Sequence, residues 1–250
     1  LQLLVMAACV AALARPYFRT GTPVANQTAL ILDASASMAT RDAEGGSTRF
    51  EEARLRAHAV IDSLTPDATL CVIEAGGRPV MRCGFSADRR ALHAAVDAAQ
   101  VHDTGVRMDD AVRLAVSAMS STAGHAARLP VILISDGAFP ELSSAVVDAV
   151  AAAPASRFIM VGRAQSDNAG ITAAECRAPA SADERTLFLR VEHYGSSPRE
   201  AQVELTCDGA FLDRKTLRLP ARAASGEPGF ATVTFPIPAN RAGLLTATLD

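Results

Sequence analysis

Two short stretches of the chain are apolar without a break, Ala29-Leu-Ile-Leu32 and Val131-Ile-Leu-Ile134. Continuity of this kind predicts strands covered on both faces, because a half-exposed strand would alternate. Between and around them the period changes. Phe50, Ala53, Ala57, Val60, Ile61 and Leu64 recur at helical spacing behind Thr48 and Glu51, which form a capping box, and Pro66 lies beyond the end. Thr69 to Glu74 and Pro79 to Cys83 read as two strands joined through Gly76-Gly77. Ser86 is placed to cap a helix carrying Leu92, Val96 and Ala99. A further helix runs from about Met108 to Met119, another from Ser143 to Ala153, and a strand from Arg157 to Val161. Strands and helices in alternation predict a doubly wound, mostly parallel α/β sheet with helices on both faces, over 28–165.

From about Ile171 the period is two. Thr186 to Glu192, Gln202 to Cys207, Arg214 to Leu219, Phe230 to Phe235 and Leu244 to Leu249 each alternate. Gly195-Ser-Ser-Pro198, Asp208-Gly209 and Ser225-Gly-Glu-Pro228 punctuate them. This predicts an all-β, immunoglobulin-like sandwich over 170–250, with the domain boundary near Gln165 to Gly170.

The first residues differ again. Leu1 to Ala14 contains one polar residue, Gln2, before Arg15 and Pro16 end the run. Fourteen helical residues span about 21 Å, short of a hydrocarbon core of about 30 Å. Residues 1–18 are therefore expected to be the end of a transmembrane helix, with a signal-peptide core or a buried helix as alternatives, and 19–27 a linker.

Composition narrows the classes. Hydrophobic residues make up 49% of the chain, enough for a packed core, although aromatics are only 4%. The net charge of -3 comes with no basic run, which argues against nucleic acid as a partner. The five cysteines, Cys9, Cys71, Cys83, Cys176 and Cys207, contain no C-x-x-C pair, so neither zinc nor a disulfide scaffold is indicated. Cys71 and Cys83 read as small core residues, and a Cys176–Cys207 pairing is the minor alternative for the other two.

The chemistry converges on one edge of the predicted sheet. Asp33, Ser35 and Ser37 alternate directly after the first buried strand, and Asp136 follows the other in Ser135-Asp136-Gly137. Ligands of open α/β sheets bind beyond the carboxyl ends of the strands. Carboxylate and hydroxyl oxygens together suit a hard cation, Mg²⁺ or Mn²⁺. The alternative is that Asp33 and Ser35 cap the loop and Asp136 makes a turn with Gly137.

The Asp33-x-Ser35-x-Ser37 pattern, with the later apolar strand ending in Ser135-Asp136-Gly137, resembles the von Willebrand factor type A (vWA) family and its metal-ion-dependent adhesion site (MIDAS) over about Ala25 to Arg163. The resemblance implies serines that contact the metal, aspartates that act directly or through water, and a carboxylate of a partner protein that completes the shell. It also implies a Thr two residues before the next helix. That position is Val106; Thr104 stands two residues earlier, with Asp103 as a substitute ligand, or else an oxygen ligand is missing. Leu13-Ala-Arg-Pro-Tyr-Phe18 before such a domain is similar to bacterial membrane-anchored proteins of the Bat (aerotolerance) type. Val191-Glu-His-Tyr-Gly195 with Cys207-Asp-Gly209 is similar to a CARDB-like (cell-adhesion-related) sandwich.

The expected function is a membrane-anchored protein-interaction module, not an enzyme. No G-x-S-x-G, Walker or G-x-G-x-x-G motif is present. A metal-free scaffold with a decayed site and an aspartate-based hydrolase are the alternatives. Arg15 and Arg19 on the domain side favour a cytoplasmic location. The Bat-type resemblance implies an Arg-rich loop ahead of the helix and so places the domains in the periplasm or cell exterior.

Overall fold

The computed structural model describes residues 27–123, 130–153, 155–163, 167–178, 184–238 and 242–250. They fall into two compact units, 27–39 with 48–161 and 40–47 with 162–250. The expected apolar helix of residues 1–18 lies outside the described residues, as does all of the linker but Gln27. Among the described residues no helix is long and apolar enough to cross a membrane.

The first unit is built on a five-stranded sheet of β1 (Gln27–Asp33), β2 (Thr69–Ala75), β3 (Val80–Ser86), β4 (Val131–Ser135) and β5 (Arg157–Met160), in the order β3-β2-β1-β4-β5. The two unbroken apolar runs are the adjacent central strands, paired in parallel with Ala29 opposite Val131 and Leu32 opposite Ile134. β2 and β5 are also parallel to their neighbours, and the turn through Gly76-Gly77 makes β3 the one antiparallel strand.

Helices α1 (Arg49–Asp62), α2 (Arg89–Asp97), α3 (Met108–Ala123) and α4 (Ser144–Ala151) cover the sheet. Side chains of β1 alternate between two cores. Leu30 and Leu32 pack with Phe50, Ile61 and Leu92 of α1 and α2, whereas Ala29 and Ile31 pack with Met108, Val112 and Val146 of α3 and α4. Neither face is left to solvent, which is why the sequence of β1 shows no alternation. The Thr48–Glu51 capping box forms at the start of α1. Ser86, however, does not cap α2. Asp88 is the cap residue and accepts from the N–H groups of Arg90 and Ala91, while the Ser86 hydroxyl accepts from the Asp88 N–H one step earlier.

The second unit holds two three-stranded antiparallel sheets. β6 (Ala169–Arg177), β7 (Glu184–His193) and β10 (Gly229–Pro238) are in the order β10-β7-β6, and β8 (Arg199–Cys207), β9 (Ala210–Leu219) and β11 (Leu245–Leu249) in the order β11-β8-β9. Leu189, Val191, Val203, Leu205, Leu219 and Phe235 form the shared core of the sandwich. Five of these strands follow from alternation, but β6 does not. From Thr172 to Arg177 every residue is exposed and only Ala169 and Ile171 pack on the core, so the strand shows no alternation for the sequence to mark. The Cys176–Cys207 alternative is not realised. Both are free thiols, Cys176 exposed on β6 and Cys207 buried on β8. Cys71 is a buried core residue as expected, and Cys83 is half-buried.

Candidate functional site

The loop after β1 is fixed before its side chains are considered. Ala34 donates to the Ala75 carbonyl at 2.8 Å, extending the β1–β2 ladder by one residue. His102 donates its backbone N–H to the Ala34 carbonyl, and Ala36 donates to the Thr104 carbonyl at 3.0 Å. Met38, in a 3-10 turn over Ala36–Ala39, is buried among the side chains of the α1 and α2 core and holds the far end. The loop that carries Asp33, Ser35 and Ser37 is thus pinned on both sides.

Asp33 is fully buried, and both its carboxylate oxygens are engaged. Oδ1 accepts the Ser35 N–H at 2.9 Å, and Oδ2 accepts the Ser135 hydroxyl at 2.5 Å. Ser135 Oγ accepts in turn from the Gly137 N–H at 3.0 Å. Burial pushes the Asp33 carboxyl above its ordinary range; the hydrogen bonds from Ser135 and Ser35 pull it back, and the charge of Asp136 adds to the upward push. The Ser35 and Ser37 hydroxyl oxygens lie 3.1 Å apart. Asp136 accepts the Ala138 N–H on Oδ1 at 2.9 Å and Arg49 Nη1 on Oδ2 at 2.5 Å.

Two of these partners, Ser135 and Arg49, were not among the candidates from sequence. Ser135 had a signal, since it is the polar residue closing an apolar strand next to Asp136. Arg49 had none, because it acts across 87 residues. The turns that Asp33 and Asp136 make with the N–H groups two residues on are of the kind the capping alternative expects.

Thr104 sits beside the loop but is turned away from it. Its Oγ1 accepts from the Gly77 N–H at 3.0 Å, and only its carbonyl reaches the loop. Val106, at the position where the resemblance wants Thr, is buried in the core beneath α3. Among the described residues no hydrogen bond or ion pair joins the Asp103 side chain to the loop. His102 Nε2 lies 2.7 Å from Glu74 Oε1, so its role is in the wall behind the loop. Glu74 is itself a buried carboxylate that also takes both Arg82 Nε and Nη2 and the Gln100 N–H.

The donor set fits a small hard cation at the serine pair. Two oxygens in adjacent positions of an octahedron with bonds of about 2.1 Å lie about 3.0 Å apart. The Ser35 and Ser37 hydroxyls are hydrogen-bonded to each other at 3.1 Å, a separation that is also compatible with such an edge. Among the described residues no three His, Cys, Asp or Glu side chains gather as a metal-ligand group.

Residues 28–138 match the family described as the von Willebrand factor type A domain, a family of protein-interaction modules. The match covers most of the first unit and none of the sandwich strands. Among curated proteins none matches the chain. Similar solved structures include conserved hypothetical protein BatB from Bacteroides thetaiotaomicron, 19% identical with a TM-score of 0.43 over 54% of this chain and 64% of that one. Another is an aerotolerance-related membrane protein from Bacteroides fragilis, 15% identical with a TM-score of 0.46 over 63% of this chain and 74% of that one. A third is the vWF domain of the type V pili tip protein Mfa5 from Porphyromonas gingivalis, 17% identical with a TM-score of 0.38 over 50% of this chain and 44% of that one.

Proposed function

We propose, from the von Willebrand factor type A domain of residues 28–138, that this chain is a membrane-anchored binding module whose site holds Mg²⁺ or Mn²⁺ to capture a carboxylate of a partner protein. The observation that carries the reading is the serine pair at octahedral spacing beside the buried Asp33. Ser35 and Ser37 would be the direct ligands. Asp33 orients the loop through the Ser35 N–H and supplies negative charge, and Asp136 supplies the second carboxylate. Such a cation would act as a Lewis acid that presents an open position to an anionic side chain. Among the described residues neither serine is hydrogen-bonded to a histidine or lysine base that would activate it, and a binding role suits the site better than hydrolysis.

The apolar run of Leu1 to Ala14 supports an anchor, and the resemblance of the sandwich to CARDB-like domains supports an exterior location. Both domains would then face the periplasm or cell exterior.

Mn²⁺ titration by electron paramagnetic resonance tests the metal. Binding that disappears in Asp33→Ala and in Ser35→Ala supports the reading, and a wild-type domain that leaves Mn²⁺ free at millimolar concentration refutes it. One observation favours the metal-free scaffold as a second reading: Asp136 already has a cationic partner in Arg49.

A further inference from the structure

We infer that Arg49 is a resident cation of this site, neutralising Asp136 in the metal-free domain and competing with a divalent ion for that carboxylate. The inference rests on the metal-binding reading above. It begins with burial. The Arg49 side chain is 10% exposed and that of Asp136 only 2%, with Nη1 and Oδ2 2.5 Å apart. A pair so shielded is screened far less than a surface ion pair, and removing one partner leaves an uncompensated charge.

The placement is built by the fold. Arg49 is the first residue of α1, and the reciprocal Thr48–Glu51 cap fixes its backbone, with the Thr48 hydroxyl accepting from the Glu51 N–H at 3.1 Å and Glu51 Oε2 accepting from the Thr48 N–H at 2.7 Å. The guanidinium can leave Asp136 only by rotating its side chain, while the helix stays in place. Asp136 itself is held by the Ala138 N–H on its other oxygen, so it waits for either cation.

Two consequences follow. First, the domain needs no metal to fold, because the charge at Asp136 is already balanced. Second, a divalent ion pays for its place by displacing the guanidinium, so its apparent affinity is its intrinsic affinity scaled by the fraction of molecules in which Arg49 has left the carboxylate. Once displaced, Arg49 remains at the rim. Two carboxylates, one guanidinium and one divalent cation sum to a single positive charge, which suits an anionic partner.

The test is Mn²⁺ titration of the folded chain as wild type, Arg49→Gln and Arg49→Lys, with thermal melting in EDTA alongside. Arg49→Gln is expected to melt lower in EDTA yet to bind Mn²⁺ at least tenfold more tightly, two changes of opposite sign that a structural role alone would not produce. Arg49→Lys, which keeps the charge but loses the planar fork, should bind severalfold more tightly. If Arg49→Gln does not fold in EDTA, the Lys variant carries the decision. Wild-type or weaker Mn²⁺ affinity in the folded variants overturns the inference and leaves the metal reading intact. Absence of Mn²⁺ binding in wild type and both variants overturns both.

Discussion

Glu74→Gln tests whether the wall behind the site is held by one buried charge. Glu74 lies in β2 with its side chain 2% exposed and collects four donors: Arg82 Nε at 3.0 Å, Arg82 Nη2 at 2.9 Å, the Gln100 N–H at 3.0 Å and His102 Nε2 at 2.7 Å. Glutamine keeps the shape but removes the charge and turns an N–H towards Arg82 or His102. Removing one partner of a buried pair costs about 3–5 kcal/mol. The Arg82 side chain is 31% exposed and regains some hydration, which places the expected loss near about 3 kcal/mol. For a chain of this size that is about 6–12 °C in Tm. Burial alone would raise the Glu74 carboxyl, but the hydrogen bonds from Arg82, His102 and Gln100 and the Arg82 charge hold it below the ordinary range. Its contribution is therefore complete at neutral pH and is lost as pH falls through about 4.3 and towards the lower folded value. Calorimetry suits the assay, since the chain has no Trp. The variant should melt well below wild type at pH 7, and the gap should narrow at pH 3. A shift under about 2 °C at pH 7, or a gap unchanged in acid, would refute the argument. Because Gln100 and His102 precede Thr104, whose carbonyl braces Ala36, Mn²⁺ affinity should fall too, though Glu74 touches no candidate ligand.

Other outcomes follow from single contacts. Asp33→Asn removes a buried charge whose carboxyl is raised by desolvation, so the metal-free domain should melt higher while its response to Mn²⁺ disappears; a lower melting temperature in EDTA argues against it. The destabilisation carried by ionised Asp33 is absent below the ordinary Asp range and grows as pH rises through its elevated folded value. Gly77→Ala would set a Cβ 3.0 Å from Thr104 Oγ1 and 3.1 Å from its Cβ, so it should weaken Mn²⁺ binding by shifting the loop that supports Ala36, with titration as the measure. Gly229→Ala would drive a Cβ into the Pro220 carbonyl and within 2.8 Å of the Ala221 carbonyl oxygen; a loss of about 2 kcal/mol or more is expected by urea unfolding. Burial pushes the Cys71 thiol up to about 12, so iodoacetamide at pH 8 should label exposed Cys176 and spare Cys71 until the chain is unfolded, as peptide mass spectrometry would show.

The legible parts of the sequence were those in which one residue type fixes one environment. Ala29 to Leu32 had no polar residue to face water, so a central strand was the only place for it. Thr48 and Glu51 announced a helix start by themselves. The illegible parts depended on partners far along the chain or on no burial at all. β6 has an exposed face throughout its second half, and Arg49 looks like any basic residue in a helix until Asp136 is beside it. By its period Glu74 reads only as the end of a strand, although a carboxylate closing Leu70-Cys-Val-Ile is a signal that partners must exist. Thr104 was found near the loop but with its hydroxyl committed to Gly77. The backbone after Gly105 sends Val106 into the core, and sequence spacing does not report that direction.

The hydrogen bond from Ser135 to Asp33 joins neighbouring strands that are 102 residues apart in sequence. Closing so long a loop is slow, because its entropy is lost before its contacts are gained. A nascent chain that has not yet reached Val131 carries Asp33, Ser35 and Ser37 in order, but it lacks the donor that orients the carboxylate. Competence to hold a cation should therefore appear late in folding, together with the β1–β4 pairing. A shift of one residue in that pairing would point Ser135 to the other face of the sheet. Ion binding would then report on strand register, and misregistered molecules would be silent at the site even when their helices have formed.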